Sequence, residues 1–334
     1  MMSPEHGAVS RRAFVRGSIQ GAAALAAGTS LAAQVADETP APEPSTVDRA
    51  FATDLVRGDC EYRVALPAEY DSNREHPYPL LLLLHGGGGS RNFVDAWLSA
   101  TRSLRSELEP FVAVCPSAGR SFYMNYRDGS EAWETLIVTE LLDAVRAEFH
   151  VAAERERVAV CGVSMGGLGC LRLAFKHPNL FATVAALEPA IEASLRYDAL
   201  QPADTFYRAD QYAAKFGVDG VVDEAYWAEN HPAAIAAIAP ERLQDLAMLI
   251  EAGTEDGFEL HRGAEFLHRV LWDSGLKHEY RLVLGADHVG RSLDERQRYA
   301  LAFIGRQWNP GPVDEAMAEF RRAIAPMRRQ AGLE

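Results

Sequence analysis

The sequence predicts an α/β domain, a mostly parallel central sheet with helices on both faces joined by right-handed crossovers. Three observations carry that expectation. From about residue 60, strand-like and helix-like patterns alternate along the chain. Most strand-like runs are continuously apolar, as strands covered on both faces require. In "RVAVCGVSMGGLGCLRLAF", residues 157–175, an apolar strand runs into a serine set between glycines and passes at once into a helix. A solvent loop needs no such compression, and a core helix would avoid the glycines.

The strand-like runs are CEYRVALP (60–67), YPLLLLLHG (78–86), FVAVCPSA (111–118), RVAVCGVS (157–164), ATVAALEPA (182–190), LAMLIEAG (246–253) and EYRLVLGA (279–286). Helical patterns lie at about 91–107, 132–149, 166–177, 261–275 and 291–306. There is no internal repeat and no second core, so one domain is expected over residues 58–308. After Pro310 and Pro312, Val313, Met317, Phe320, Ile324 and Met327 recur at helical spacing. Residues 309–334 therefore predict an amphipathic helix docked on its own domain, with a homo-oligomer contact as the alternative.

Composition limits the partners. The chain has 334 residues, 48% of them apolar, enough for a sizeable core. A net charge of −14, with basic residues scattered among acids, argues against nucleic acid and anionic membrane. At the N-terminus, Ser10-Arg11-Arg12-Ala13-Phe14-Val15-Arg16 precedes a weakly apolar run from Ile19 to Ala33. This resembles a twin-arginine export signal over residues 1–36, cleaved after Ala32, Ala33 or Ala36, and implies a periplasmic or secreted protein. A basic cap on a frayed helix is the bland alternative. The run is short and interrupted by Gln20 and Thr29, and no cysteine precedes Cys60, so no stable membrane anchor is expected. Residues 37–57 read as a flexible leader. Cys60, Cys115, Cys161 and Cys170 lack metal-ligand spacing, so no metal is expected. An oxidising compartment leaves a Cys60–Cys115 disulfide open.

Ligands of such sheets bind beyond the carboxyl ends of the strands. Gly162-Val163-Ser164-Met165-Gly166 is a G-x-S-x-G elbow in the strand-to-helix setting that the motif requires, with Ser164 as the nucleophile. A phosphate loop would continue into Gly-Lys-Ser/Thr, and this one does not. His85-Gly86-Gly87-Gly88-Gly89 follows the 78–86 run, where bare backbone can aim N–H groups at an oxyanion. Gly87 and Met165 are the expected donors, with Gly86 as alternative. Of ten histidines, His177, His261, His268 and His278 have structural explanations on helices or at a strand start. His288, in GADHVGRS directly after the last strand, is the expected base. Asp256, after the 246–253 run, gives the order Ser, Asp, His, while Glu188 and Glu255 remain rival acids.

These pieces together resemble the esterase D or S-formylglutathione hydrolase-like esterase family, which also holds feruloyl and acetylxylan esterases, enterochelin-type esterases and mycolyltransferases. The resemblance runs from about residue 58 to 308. It rests on YRVALPAEYDSNREHPYPLLLLLHGGGG (62–89), WETLIVTELLDAV (133–145), ERVAVCGVSMGGLGCLRLAFKHPNLFATVAAL (156–187), GTEDGF (253–258) and GADH (285–288). It implies an α/β-hydrolase fold; the long 191–245 segment, which carries Tyr197, Phe206, Tyr207, Tyr212, Phe216, Tyr226 and Trp227, is expected to form a lid inserted after the sixth strand. It also implies a Ser164, Asp256, His288 triad, the His-Gly-Gly segment and Met165 as oxyanion donors, and no cofactor. Glu188 departs from the family, where a small residue is usual, and places a negative charge near the expected pocket. The function expected is a secreted serine esterase acting on small-molecule or carbohydrate esters, phenolic or sugar esters among them. An acyltransferase of the mycolyltransferase type and a non-catalytic binding protein are the alternatives. Phe122, Tyr123 and Tyr126, in SFYMNYRDG after a strand end, and Trp227 in the lid are the expected substrate contacts, together with Glu188.

Overall fold

The computed structural model describes residues 43–333 except Arg105; the expected export signal at 1–36 lies outside the described residues. Eight strands form one sheet: β1 (Ser45–Phe51), β2 (Cys60–Leu66), β3 (Leu80–Leu84), β4 (Val112–Pro116), β5 (Val158–Val163), β6 (Thr183–Leu187), β9 (Ala247–Gly253) and β10 (Glu279–Val283). The two strands between β6 and β9, β7 (Gly217–Val218) and β8 (Val221–Val222), make a separate small ribbon. The sheet order is β1-β2-β4-β3-β5-β6-β9-β10. Pairing is antiparallel at β1/β2 and β2/β4 and parallel from β4 onward.

The uniform leucines of β3 show why the inner strands read as unbroken apolar runs. Leu80, Leu82 and Leu84 pack on one face of the sheet, Leu81 and Leu83 on the other, and all five are fully buried. Each such side chain contributes roughly 1.5–3 kcal/mol relative to exposure. One face is covered by α2 (Trp133–Leu136) and α3 (Leu142–Glu148), which flank a π-turn at Ile137–Leu141, and by α4 (Met165–Lys176) and α9 (Leu260–Asp273). The other face carries α1 (Phe93–Ser103) and α10 (Arg291–Trp308), through Val94, Trp97, Leu301 and Ile304. This is the α/β architecture read from the sequence.

Between β6 and β9 the chain makes an insertion with α5 (Pro202–Thr205), α6 (Tyr212–Phe216), the β7/β8 ribbon, α7 (Glu224–Glu229) and α8 (Pro232–Ile238). Its aromatics largely pack against one another: Tyr197 against Tyr212 and Trp227, each pair at 5.9 Å, and Trp227 stacked on His231 at 4.4 Å.

Three expectations are corrected. Residues 37–57, expected to be a flexible leader, contain β1, paired in full register with β2 from Ser45↔Leu66 to Phe51↔Cys60. As an edge strand it only half-buries Val47, Arg49 and Phe51, so its apolar signal is weak and pairing supplies its stability. The C-terminal helix forms as α11 (Glu315–Gln330) but buries none of its residues, and Met317, Phe320 and Met327 are exposed rather than docked. Cys60 and Cys115 lie on opposite faces of the sheet, Cys60 with the cluster under α4 and Cys115 with that under α1, so no disulfide joins them. All four cysteines are free and buried. Ellman's reagent is therefore expected to find four thiols per unfolded, unreduced chain and none reacting promptly in the native state; two thiols on unfolding would mean that a disulfide exists.

Candidate active site

The carboxyl ends of β3, β5, β6, β9 and β10 bring the expected chemistry to one rim. At the end of β5 the backbone turns so sharply that two glycines are obligatory. A Cβ on Gly162 would meet the Gly166 carbonyl oxygen at 2.3 Å, and one on Gly166 would meet the Leu84 carbonyl oxygen at 2.0 Å. Ser164 between them takes φ 61° and ψ −118°, a conformation that non-glycine residues adopt only under constraint. The turn is held by Ser164 N–H donating to Leu187 O at 2.9 Å, and by Ala190 N–H and Leu168 N–H donating to Ser164 O at 3.1 and 3.0 Å. Met165 opens α4, so its N–H belongs to the first turn, where helices have no internal acceptor and favour negative charge.

The glycine loop after β3 is braced by His85. Its Nε2 accepts the Ala118 N–H at 2.9 Å, which leaves the proton on Nδ1 to donate to Gly86 O at 2.7 Å. Burial lowers its pKa and keeps this neutral tautomer. The Tyr123 hydroxyl donates to His85 O at 2.8 Å. Tyr123 is thus a fully buried strut beneath the loop, not the substrate contact expected of it.

His288 and Asp256 meet across two loops. His288 Nδ1 lies 2.8 Å from Asp256 Oδ2, and the other carboxylate oxygen accepts the Phe258 N–H at 2.6 Å. The loops are joined by Gly257 N–H donating to Asp287 Oδ1 at 3.1 Å and Gly285 N–H donating to Thr254 Oγ1 at 2.8 Å. Burial pushes the Asp256 carboxyl up, but hydrogen bonds from His288 and Glu188 outweigh it, and the net shift is downward. Ionised, Asp256 fixes the imidazole proton on Nδ1 and leaves Nε2 as the acceptor. Glu255 is exposed and takes no part.

Glu188 stands behind this pair, fully buried, with φ 46° at the end of β6. Its Oε1 accepts the Gly253 N–H at 3.0 Å and an Arg296 guanidinium N–H. Arg296 also donates to Asp287 O at 2.8 Å, beside the imidazole. Glu188 Oε2 has no donor among the described residues. Oxygens of Glu188 and Asp256 and a ring nitrogen of His288 lie within 4.8 Å of one another. That spacing could suit a cation, but Arg296 already occupies the Glu188 carboxylate and His288 Nδ1 is committed to Asp256. A proton fits better. Burial and the hydrogen bond to Asp256 push Glu188 up to about 8, against the Arg296 charge. Burial and the neighbouring Asp256 thus favour the protonated form of Glu188, which does not line the cavity; Asp256, not Glu188, is the partner of the imidazole.

Ser164 and His288 share the wall of a cavity of about 220 Å³ with Gly87, Met165, Phe122 and Phe258. The Phe258 ring meets the imidazole edge-on at 4.8 Å. Tyr126 and Trp227 lie elsewhere, Tyr126 in a separate groove with Trp133 and Lys215, and Trp227 inside the insertion's own core. Tyr207, one of the lid aromatics, also lines the cavity, as do Arg120, Arg208 and Gln211, which the sequence reading does not single out. Local spacing does not mark Arg208, a single cation between Tyr207 and Tyr212 in the insertion. A larger apolar groove of about 330 Å³, between α1 and the antiparallel edge of the sheet, is lined by none of Ser164, Asp256 and His288.

The chain matches the family model described as "Putative esterase" over residues 55–308. Over 152 residues it is 34% identical to an esterase of Mycobacterium tuberculosis, covering 44% of this chain and 32% of that protein. Over 112 residues it is 34% identical to an acetyl esterase of Caldicellulosiruptor saccharolyticus, covering 33% of this chain and 41% of that one. It thus spans less than half the length of these relatives. Among solved structures, a ferulic acid esterase superposes with TM-score 0.65 at 22% identity, over 80% of this chain and 100% of that one. An S-formylglutathione hydrolase from Agrobacterium tumefaciens gives TM-score 0.65 at 17% identity, over 81% and 98%. These likenesses identify the fold as that of the α/β-hydrolases.

The raised pKa of Glu188 makes a prediction about stability. A group with its folded pKa above the ordinary 4.5 contributes stability that is complete below that value and is lost as pH rises through about 8. Glu188→Gln keeps both an acceptor for Arg296 and a donor for Asp256 without titrating. The fall in thermal midpoint between pH 5 and pH 9 should be smaller in this variant than in wild type. Parallel midpoint curves would mean that Glu188 does not change its protonation in that range.

Proposed function

Because this chain belongs to the esterase family, we propose that it hydrolyses carboxylic esters through a covalent acyl-enzyme on Ser164. Ser164 Oγ attacks the ester carbonyl while His288 Nε2 takes its proton. The carbonyl oxygen becomes an oxyanion, stabilised by the N–H groups of Gly87 and Met165. Collapse breaks the bond to the alkoxy group, which leaves with the proton returned from His288. Water, deprotonated by the same imidazole, then releases the acid and restores Ser164. Asp256 keeps the imidazole in the productive tautomer, and Glu188 with Arg296 holds Asp256 and the His288 loop in place.

The observation that carries this reading is the 2.8 Å contact between His288 Nδ1 and Asp256, on the wall of a cavity that Ser164 also lines. Aromatic faces at Phe122, Tyr207 and Phe258 support an ester with a phenolic or other flat group over a plain sugar ester. The twin-arginine pattern at Arg11-Arg12 supports export of the mature enzyme.

Ser164→Ala should lower kcat on p-nitrophenyl acetate by roughly 10³–10⁶-fold with the fold intact by circular dichroism. Wild-type turnover in that variant would refute the assignment.

A further inference from the structure

The insertion sets a guanidinium into the wall of the same cavity. Arg208 is 2% exposed, yet it lines the cavity beside Ser164 and His288. Its Nη2 donates to Glu192 Oε1 at 2.6 Å. Its Nε and Nη1 have no acceptor among the described residues, and the buried Tyr207 hydroxyl and Gln211 Oε1 on the same wall likewise lack partners. Leaving N–H groups of a buried cation without acceptors is unfavourable, and native proteins rarely do so without a use for them. A ligand that brings an acceptor removes the deficit.

Glu192 cannot be that acceptor. Its Oε1 also receives the Tyr212 hydroxyl, and its Oε2 faces His231 Nε2 at 3.3 Å. Burial opposes its charge, but Arg208 and His231 more than compensate and hold its pKa down at about 2. Glu192 anchors one side of the guanidinium and leaves the rest unsatisfied. The rings of Tyr207, Phe122 and Tyr212 stand 5.0, 5.5 and 5.8 Å from Arg208 Cζ, and such apolar surroundings strengthen its pull on an anion.

Charge then selects the kind of acceptor. Among the described residues, the cavity wall carries two guanidiniums, Arg120 and Arg208, and no carboxylate, in a chain whose net charge is −14. Resting on the ester-hydrolase reading above, we propose that this cavity selects esters bearing a free carboxylate, which Arg208 receives and Arg120 assists. This carboxylate is not the acid that the reaction releases; it is a substituent present on the intact ester, on either its acyl or its alcohol side.

Two matched pairs test this and tell the sides apart. Mono-p-nitrophenyl adipate against its methyl ester places the carboxylate on the acyl side, and 4-carboxyphenyl acetate against its methyl ester places it on the alcohol side. In at least one pair, kcat/KM should favour the anion by about tenfold or more, the scale of a charge-assisted hydrogen bond. Replacing Arg208→Met together with Glu192→Met leaves neither charge orphaned and should bring that ratio to about one. A wild-type measurement needs no variant: adipate should compete with p-nitrophenyl butyrate and adipamide should not. Equal or better turnover of the neutral ester in both pairs, or an undiminished preference in the folded double variant, overturns the assignment alone. So does inhibition by adipamide as strong as that by adipate. Absence of turnover on all four esters overturns the ester-hydrolase reading, and this one with it.

Discussion

The site depends on one close approach of backbone to backbone. Where β5 ends, α4 must start against both β5 and the last residues of β3, and the carbonyl oxygens of Gly166 and Leu84 occupy the space where side chains at 162 and 166 would stand. That contact forces Ser164 into positive φ and presents its hydroxyl at the rim. It also sets the N-terminus of α4 and the glycine loop after β3 beside the same hydroxyl, so one packing constraint positions both Ser164 and the N–H groups proposed as oxyanion donors.

A second layer of polar contacts governs the other half of the rim. Asp256 and His288 arise on separate loops, and Arg296 reaches from α10 to Glu188 on one side and to the Asp287 carbonyl on the other. Glu188 completes the chain beside Asp256, its charged form disfavoured by burial and by that neighbour. A network of this kind fixes a rotamer and a tautomer more firmly than any single bond in it. The insertion after β6 repeats the device with Glu192, Arg208, Tyr212 and His231.

Much of this was legible in the sequence because it is local. Strand ends, the G-x-S-x-G elbow, the glycine run and the position of His288 are each set by a few consecutive residues, and the inner strands declared themselves through burial on both faces. What the sequence hid depends on pairing at a distance. β1 has little apolar signal and exists because β2 offers it an edge. The face assignment of Cys60 and Cys115 follows from strand register. Tyr126 and Trp227 looked like pocket aromatics but serve other cores, while Arg208 and Phe258 reach the cavity through folds of loops that no periodicity encodes. Glu188 departs from the family pattern already in the sequence, but its role depends on Arg296, far along the chain, which pairs with it.

The most direct test of the central claim is peptide mapping after reaction of the native protein with a fluorophosphonate. One adduct per chain, on Ser164, is expected. An adduct on another residue, or none under conditions where the protein hydrolyses esters, would contradict it.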